Sequence, residues 1–281
     1  MVGVPCRIQA VRYAQEKGIG LRRGSGLFQV SRSMTTYVRR QPIKDAAVAL
    51  PVSEVSREHP TWGSRIVHGW METKGYPFGF SRVKRIWRIK GYAALWKKRR
   101  RKIKTGARLK PQPTGPNAVW CMDFAEDRLI NGRKFFALLV KDEASAYGLN
   151  VSVAPSFKGR DVESVLDRLV TTHGAPSFSR CDNGGQFIAF VVQRWAERCG
   201  VQMAHIDPGK PWQNGSAESF VGTYRREVLN AELFGSIQEA AWFSERWRRM
   251  YNQERPHSRL GYRPPATAYP QKEKFEGVTK L

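Results

Sequence analysis

Apolar positions recur at helical spacing in the first part of the chain. Ile8, Val11 and Ala14 or Tyr13 share one side of residues 7–17, which predicts a helix there. A glycine-containing break follows, and Ser31 or Ser33 stands where it can cap a short second helix carrying Arg32, Arg39 and Arg40. Helix, glycine turn and basic helix suit a helix-turn-helix, although any two helices joined by glycine give the same pattern. A second unit repeats the plan, with helices over 46–57 and 64–74 around an HPTWG turn at 59–63. After another turn at 75–79, Ser81 is placed to cap a helix over 82–90 whose apolar stripe is Val83, Ile86 and Trp87.

From residue 118 the pattern turns to β. Strands are predicted over 119–124, 134–140 and 147–153, separated by Asn131-Gly132 and by a turn near 142–145. Val162, Val165, Leu166 and Leu169 mark a helix over 161–173, closed by Gly174-Ala-Pro176. A brief strand over 178–181, a helix over 187–199 and a strand over 201–205 follow, then helices over 217–231 and 237–252. Three successive strands followed by alternating helices and strands predict a mixed-sheet α/β core behind an all-α region. The expected organisation is a helical segment 1–45, a second one 46–96, a linker 97–116, a core 117–269 and a tail 270–281.

Charge sharpens that division. The net charge is +24, yet residues 1–110 hold 26 Lys and Arg against 5 Asp and Glu, while residues 111–281 hold 22 against 19. So lopsided a basic charge suits a polyanion, because Lys and Arg that neutralise phosphates release condensed counterions. A ribosome-like or membrane-surface basic tail is the plainer alternative. Arg82, Lys84, Arg85 and Arg88 point away from the apolar stripe and can lie along phosphates, or form an ordinary solvated face. Lys97, Lys98, Arg99, Arg100, Arg101, Lys102 and Lys104 form a self-repelling block followed by a Pro- and Gly-rich stretch, read as a linker that lies on DNA. The cysteines at 6, 121, 181 and 199 contain no CxxC pair, so neither a metal ribbon nor a disulfide framework is supported and a reducing cytoplasm is expected. Arg7 and Arg12 interrupt the early apolar stretch, and the run 135–140 is too short to span a bilayer, so neither a signal peptide nor a membrane partner is expected.

Three acids occupy places where strands or helices meet loops. Asp123 closes the first predicted strand, Asp182 follows the fourth directly, and Glu218 opens a helix with 35 residues between it and Asp182. Carboxylates brought together repel and take up protons unless a hard divalent cation neutralises them. Two such ions about 3.5–4 Å apart stabilise the attacking and leaving oxygens of a displacement at phosphorus. Any acid beside a turn can equally be an ordinary surface residue.

The sequence around each acid carries a resemblance. WCMDF at 120–124, CDNGGQF at 181–187, PWQNGSAESF at 211–220 and YNQERPHSRLGYRPP at 251–265 resemble the motifs of the second-frame (OrfB) product of the IS-three family of bacterial insertion-sequence transposases, relatives of retroviral integrases. HPTWG at 59–63 through WRIKG at 87–91 resembles that family's helix-turn-helix segment, and the 35-residue gap is the family's spacing. The resemblance implies a ribonuclease H-like catalytic core, with Asp123, Asp182 and Glu218 as catalytic residues and as ligands of two Mg²⁺ or Mn²⁺ ions. It implies cleavage at terminal inverted repeats of double-stranded DNA and transfer of the freed 3′ end to target DNA, by multimers on paired ends. An upstream-frame (OrfA) partner or fusion is a further implied possibility, as is action in the bacterial cytoplasm at the nucleoid. A catalytically silent DNA-binding repressor or relic, or a nuclease that cuts without joining, is the competing reading. Ser216 stands where the third motif more often has an aromatic, and Gly185-Gln186 replaces the commoner Pro-Glu.

Further expectations follow for the residues around the site. Trp212, Gln213 and Asn214, in the loop before the third acid, are expected to touch bases or flank the DNA end, with plain packing as the alternative for Trp212. Asn183, Gly184 and Gly185 are expected to make a tight turn beside Asp182. Asp142 reads as a surface acid or one that supports the ligands. Residues 255–257 are expected either to touch phosphate or to pack as a helix end, and His257 is not expected to be a ligand because hard Mg²⁺ favours oxygen. His59 and His68 have only Cys6 upstream and no nearby Cys pair, so no zinc is expected.

Overall fold

The structure is a computed structural model that describes residues 3–37, 40–92, 112–206 and 211–270, and the side chains of 40–42, 211 and 212 are not among the described ones. Arg39 and the basic block 97–104 therefore lie outside the described residues, as do the side chains of Arg40 and Trp212. The chain divides into two compact units at Pro51.

The first unit contains α1 (Val4–Glu16), α2 (Leu21–Leu27), α3 (Arg32–Thr36) and the start of α4 (Arg40–Glu58). The stretch read as a glycine break is the helix α2. Glycine disfavours helix intrinsically, but Gly24 lies where an added Cβ would meet the Val11 side chain at 3.5 Å, so α2 sits close against α1. Of the two candidate caps for α3 it is Ser31 that accepts, at 3.3 Å, from the Met34 N–H. Helix α4 carries Pro51 in its interior, where the missing N–H removes one helical hydrogen bond.

In the second unit, α5 (Ser64–Thr73) and α6 (Phe80–Ile89) pack together around Val67, Met71, Val83 and Ile86. Helix α6 starts two residues earlier than expected: its cap is Gly79, and Ser81 lies inside the helix. Gly69 of α5 meets the segment that follows the last long helix. An added Cβ there would stand 2.6 Å from the Tyr262 Cβ and 3.3 Å from that of Pro256.

The core is a five-stranded sheet in the order β3-β2-β1-β4-β5, built from β1 (Val119–Arg128), β2 (Lys134–Asp142), β3 (Gly148–Ala154), β4 (Phe178–Cys181) and β5 (Gln202–His205). The β1–β2 and β2–β3 pairs are antiparallel, whereas β1–β4 and β4–β5 are parallel. Parallel neighbours need crossovers, and α7 (Gly159–His173) and α9 (Phe190–Cys199) supply them. The helix expected over 187–199 is broken into α8 (Gly185–Ile188) and α9 by an extended Ala189. Gly159 explains the break: a Cβ on it would lie 2.5 Å from the Ala189 Cβ, so the kink seats directly on the start of α7.

Strand alternation sends apolar residues to two cores. Trp120, Met122, Leu138 and Val140 pack with α7 and α9 on one face, while Ala125, Phe135, Ala137 and Leu139 pack on the other. That second face is covered by α10 (Gly215–Tyr224), its π-helical continuation Arg225–Leu229, and α11 (Ile237–Gln253). Arg255, 9% exposed, pairs with Glu227 at 2.9 Å and so ties the end of α11 to that π turn. The packed alternative for residues 255–257 is the one observed.

The close contact at Gly69 generates a test. Gly69→Ala puts a methyl group into the Tyr262 side chain and should destabilise the protein by about 1–3 kcal/mol in urea unfolding, although alanine favours helix. A stability equal to or above that of the parent chain would contradict this packing.

Candidate active site

The middle of β1, the residue after β4 and the first turn of α10 carry the three acidic residues. The β1–β4 register pairs Cys121 with Arg180, so counting on by two sets Asp123 beside Asp182. β1 does not end at Asp123, as the pattern suggested, but runs to Arg128; its pairing with β4 stops two residues before Asp123, at Cys121. Alternation then fixes direction. Met122 and Cys181 point into the α7–α9 core, so Asp123 and Asp182 face the α10 side.

Glu218 lies in the first turn of α10, where the helix dipole favours a carboxylate. Two buried ties hold that turn to the sheet. The Asn214 Nδ2 donates to the Met122 carbonyl at 3.2 Å, one residue before Asp123, and the Lys141 Nζ donates to the Ser216 carbonyl at 2.7 Å, two residues before Glu218.

Electrostatics record the convergence. Asp123 is pushed up to about 6, first by burial and then by the charges of Asp182 and Glu218, with only the Phe124 N–H, at 2.8 Å from its Oδ1, opposing the shift. Burial, with Asp182 and Asp123 adding to it, also pushes the Cys181 thiol up. Among the described residues no Lys or Arg forms an ion pair with any of the three acids. The set is thus all oxygen, negative and without a counter-charge there, which fits a hard divalent cation.

Among the described residues no group of three or more His, Cys, Asp or Glu side chains is gathered closely enough to enclose one ion. A two-ion arrangement does not need such a group, since Mg²⁺ is held by one or two carboxylates, with water and phosphate completing the shell.

The turn after Asp182 is shaped to leave its carboxylate accessible. The Gly184 N–H donates to Asp182 Oδ1 at 2.9 Å, and a Cβ on Gly184 would stand 2.9 Å from the same oxygen. Asn183 Nδ2 donates to the Ile206 carbonyl at 2.8 Å, which fastens the turn to the end of β5.

Two expectations need correction. Asp142 is not a surface acid: it is fully buried, accepting from the Asn117 N–H at 2.7 Å and from both the N–H and hydroxyl of Ser145, so it closes the turn after β2. Asn214, expected to touch or flank the DNA end, is 2% exposed, and its Nδ2 is engaged with the Met122 carbonyl, so this amide fastens the site. Gln213 is half-buried beside it. Of the basic residues, Arg32, Lys84 and Arg88 are exposed and Arg82 and Arg85 half-buried. The Lys84 ammonium lies 5.7 Å from the Phe80 ring and the Arg82 guanidinium 5.6 Å from Phe78. Lys141 went unnoticed in the sequence; a lone lysine in the apolar run LLVKD was its signal.

Sheet order and placement of acids define the ribonuclease H-like class of integrase cores. In accord with this, residues 113–211 and 199–265 match two families, each described as an integrase core domain, and together they contain all three acids. A simian T-cell lymphotropic virus intasome in complex with a PP2A regulatory subunit shares the fold, with a TM-score of 0.50 at 14% identity over 82% of this chain and 78% of that one. An uncharacterized 31.7 kDa protein of insertion element IS407 from Burkholderia multivorans is 32% identical over 90% of this chain and 91% of its own length. The transposase InsD of insertion element IS2-9 from Escherichia coli K12 is 26% identical over 92% of both. The chain belongs to the insertion-element transposases, DDE enzymes with an integrase core domain.

The raised Asp123 gives a pH-dependent test. Between its ordinary value of 3.8 and about 6 the folded protein holds a proton that the unfolded chain has lost, so stability falls as pH rises through that window. Without metal at pH 7.5, Asp123→Asn should therefore be more stable than the parent by about 1–3 kcal/mol, with the gap gone near pH 4. Thermal melts in EDTA across that range decide it, and a variant less stable at pH 7.5 would contradict the crowding of charge.

Proposed function

We propose that the chain is the OrfB-type enzyme of an insertion element, binding the element's terminal inverted repeats and cutting and joining strands at Asp123, Asp182 and Glu218. The observation that carries this reading is the raised Asp123, crowded by Asp182 and Glu218 with no cationic side chain of the described residues to neutralise it.

The three carboxylates are the groups that would hold Mg²⁺ or Mn²⁺. Such a pair of ions, when bound, activates the attacking oxygen and stabilises the leaving 3′ oxygen at the scissile phosphate. The protein's own residues prepare the place. Phe124 and Gly184 N–H groups each fix one oxygen of Asp123 and Asp182, which orients the other. The bare Gly184 leaves room for a DNA backbone, and two bonds to the sheet tie the turn that carries the exposed Glu218.

Arg32, Arg82, Lys84, Arg85 and Arg88, together with Arg39, Arg40 and the basic block 97–104, supply phosphate contacts, and Trp212 and Gln213 flank the DNA end. The charge imbalance of residues 1–110 supports that assignment. Cutting both ends of one element requires two active sites brought together, so the enzyme acts as a multimer on paired ends. An upstream-frame partner or fusion would supply further dimer contacts, because this chain has no sustained heptad pattern. The site of action is the bacterial cytoplasm, at the nucleoid. Among the described residues no helix is long and apolar enough to cross a membrane.

A labelled duplex carrying the element's own terminal repeat tests the reading. With Mg²⁺ the parent chain should nick and join it. Asp182→Asn should lose both steps by about a thousandfold or more while binding DNA within about threefold. Binding without cutting by the parent would leave a repressor, and cutting without joining a nuclease.

A further inference from the structure

Lys141 lies in the middle of the site's support and has no carboxylate partner there. It sits on β2 opposite Cys121 of β1, is 5% exposed, and points to the α10 side. Its ammonium donates to the Ser216 carbonyl at 2.7 Å and stands 5.5 Å from the centre of the Phe220 ring. Both contacts are to α10. The acids nearest in sequence are committed elsewhere: Glu143 pairs with Arg180 at 2.8 Å, and Asp142 accepts from Asn117 and Ser145. Among the described residues no ion pair reaches Lys141. Burial pushes its pKa down, as expected of an ammonium removed from water.

An apolar side chain at this position would pack on Phe220 with no desolvation cost, and buried charges are expensive unless well satisfied. What only a long donor achieves is a directed bond into the first turn of the helix bearing Glu218. With the Asn214 bond to the Met122 carbonyl, it makes a pair of struts from the start of α10 to the adjoining strands, one to β2 and one to β1 beside Asp123.

We propose that Lys141 is a positioning residue for the active site: its bond to the Ser216 carbonyl sets where Glu218 stands relative to Asp123, and so sets divalent-metal affinity. This rests on the reading of Asp123, Asp182 and Glu218 as metal ligands. Lys141 touches neither substrate nor metal, and it acts through the turn it holds.

The test uses the full chain and Mn²⁺ alone, read as the metal concentration that half-saturates the rise in melting temperature. Lys141→Met should fold, with a cooperative melt in EDTA at or above the parent temperature, and should need about tenfold more Mn²⁺. Lys141→Gln keeps a donor without the charge and should need at least about twofold more; it carries the test if the methionine variant does not fold. Glu218→Gln should weaken Mn²⁺ by itself, and adding either Lys141 variant to it should weaken binding no further, because both act on the same ligand.

An unchanged Mn²⁺ requirement in the Lys141 variants, or effects that add to those of Glu218→Gln, would overturn the proposal. A Glu218→Gln chain that binds Mn²⁺ as the parent does would instead remove the ligand reading on which the proposal stands.

Discussion

A carboxylate buried near two others is the constraint around which this enzyme is arranged: Asp123 is pushed up to about 6, first by burial and then by the charges of Asp182 and Glu218. Asp123 and Asp182 each stand two residues beyond the last pair of the parallel β1–β4 register, Cys121 with Arg180, and Glu218 stands in the first turn of a helix packed on β1 and β2. No Lys or Arg among the described residues pairs with them, so the folded chain holds the half-buried Asp123 carboxylate at the expense of its own stability. A site that stores repulsion in this way is one prepared for a cation.

The rest of the second unit serves that placement. Strands buried on both faces make the sheet rigid, since β1 and β2 feed apolar side chains alternately into two cores. Helix α10 is held at its first turn by two buried side chains, Asn214 and Lys141, and further along by Phe220 and Tyr224 in the core. The buried Arg255–Glu227 pair closes the far end of the same layer. Removing one partner of such a pair is far more damaging than its net contribution suggests, because the other charge is left unmatched.

Much of this was legible in the sequence. Alternation and helical spacing gave all five strands and the long helices, and the motifs around the three acids marked the residues proposed to carry the chemistry. What escaped has a common physical cause: it depends on what another segment does. In helix α2, Gly24 packs close to Val11 of α1, a contact that only the fold shows. The kink at Ala189 exists because Gly159 lies against it. Asp142 reads from its turn as a surface acid or one that supports the ligands, yet the backbone N–H groups of Asn117 and Ser145 converge on it and bury it. Asn214 sits in a polar, loop-like motif that suggested DNA contact, and only the fold reveals the Met122 carbonyl waiting beneath it. Lys141 is the same lesson in reverse, a charge inside an apolar strand whose partner lies 75 residues further on.

The central claim is that three acids far apart in sequence form one divalent-metal site. Anomalous scattering from Mn²⁺-soaked crystals of the full chain addresses it most directly. The account predicts manganese peaks in contact with Asp123 and with at least one of Asp182 and Glu218. Strong peaks elsewhere, with the three carboxylates bare and more than about 10 Å from one another, would contradict it.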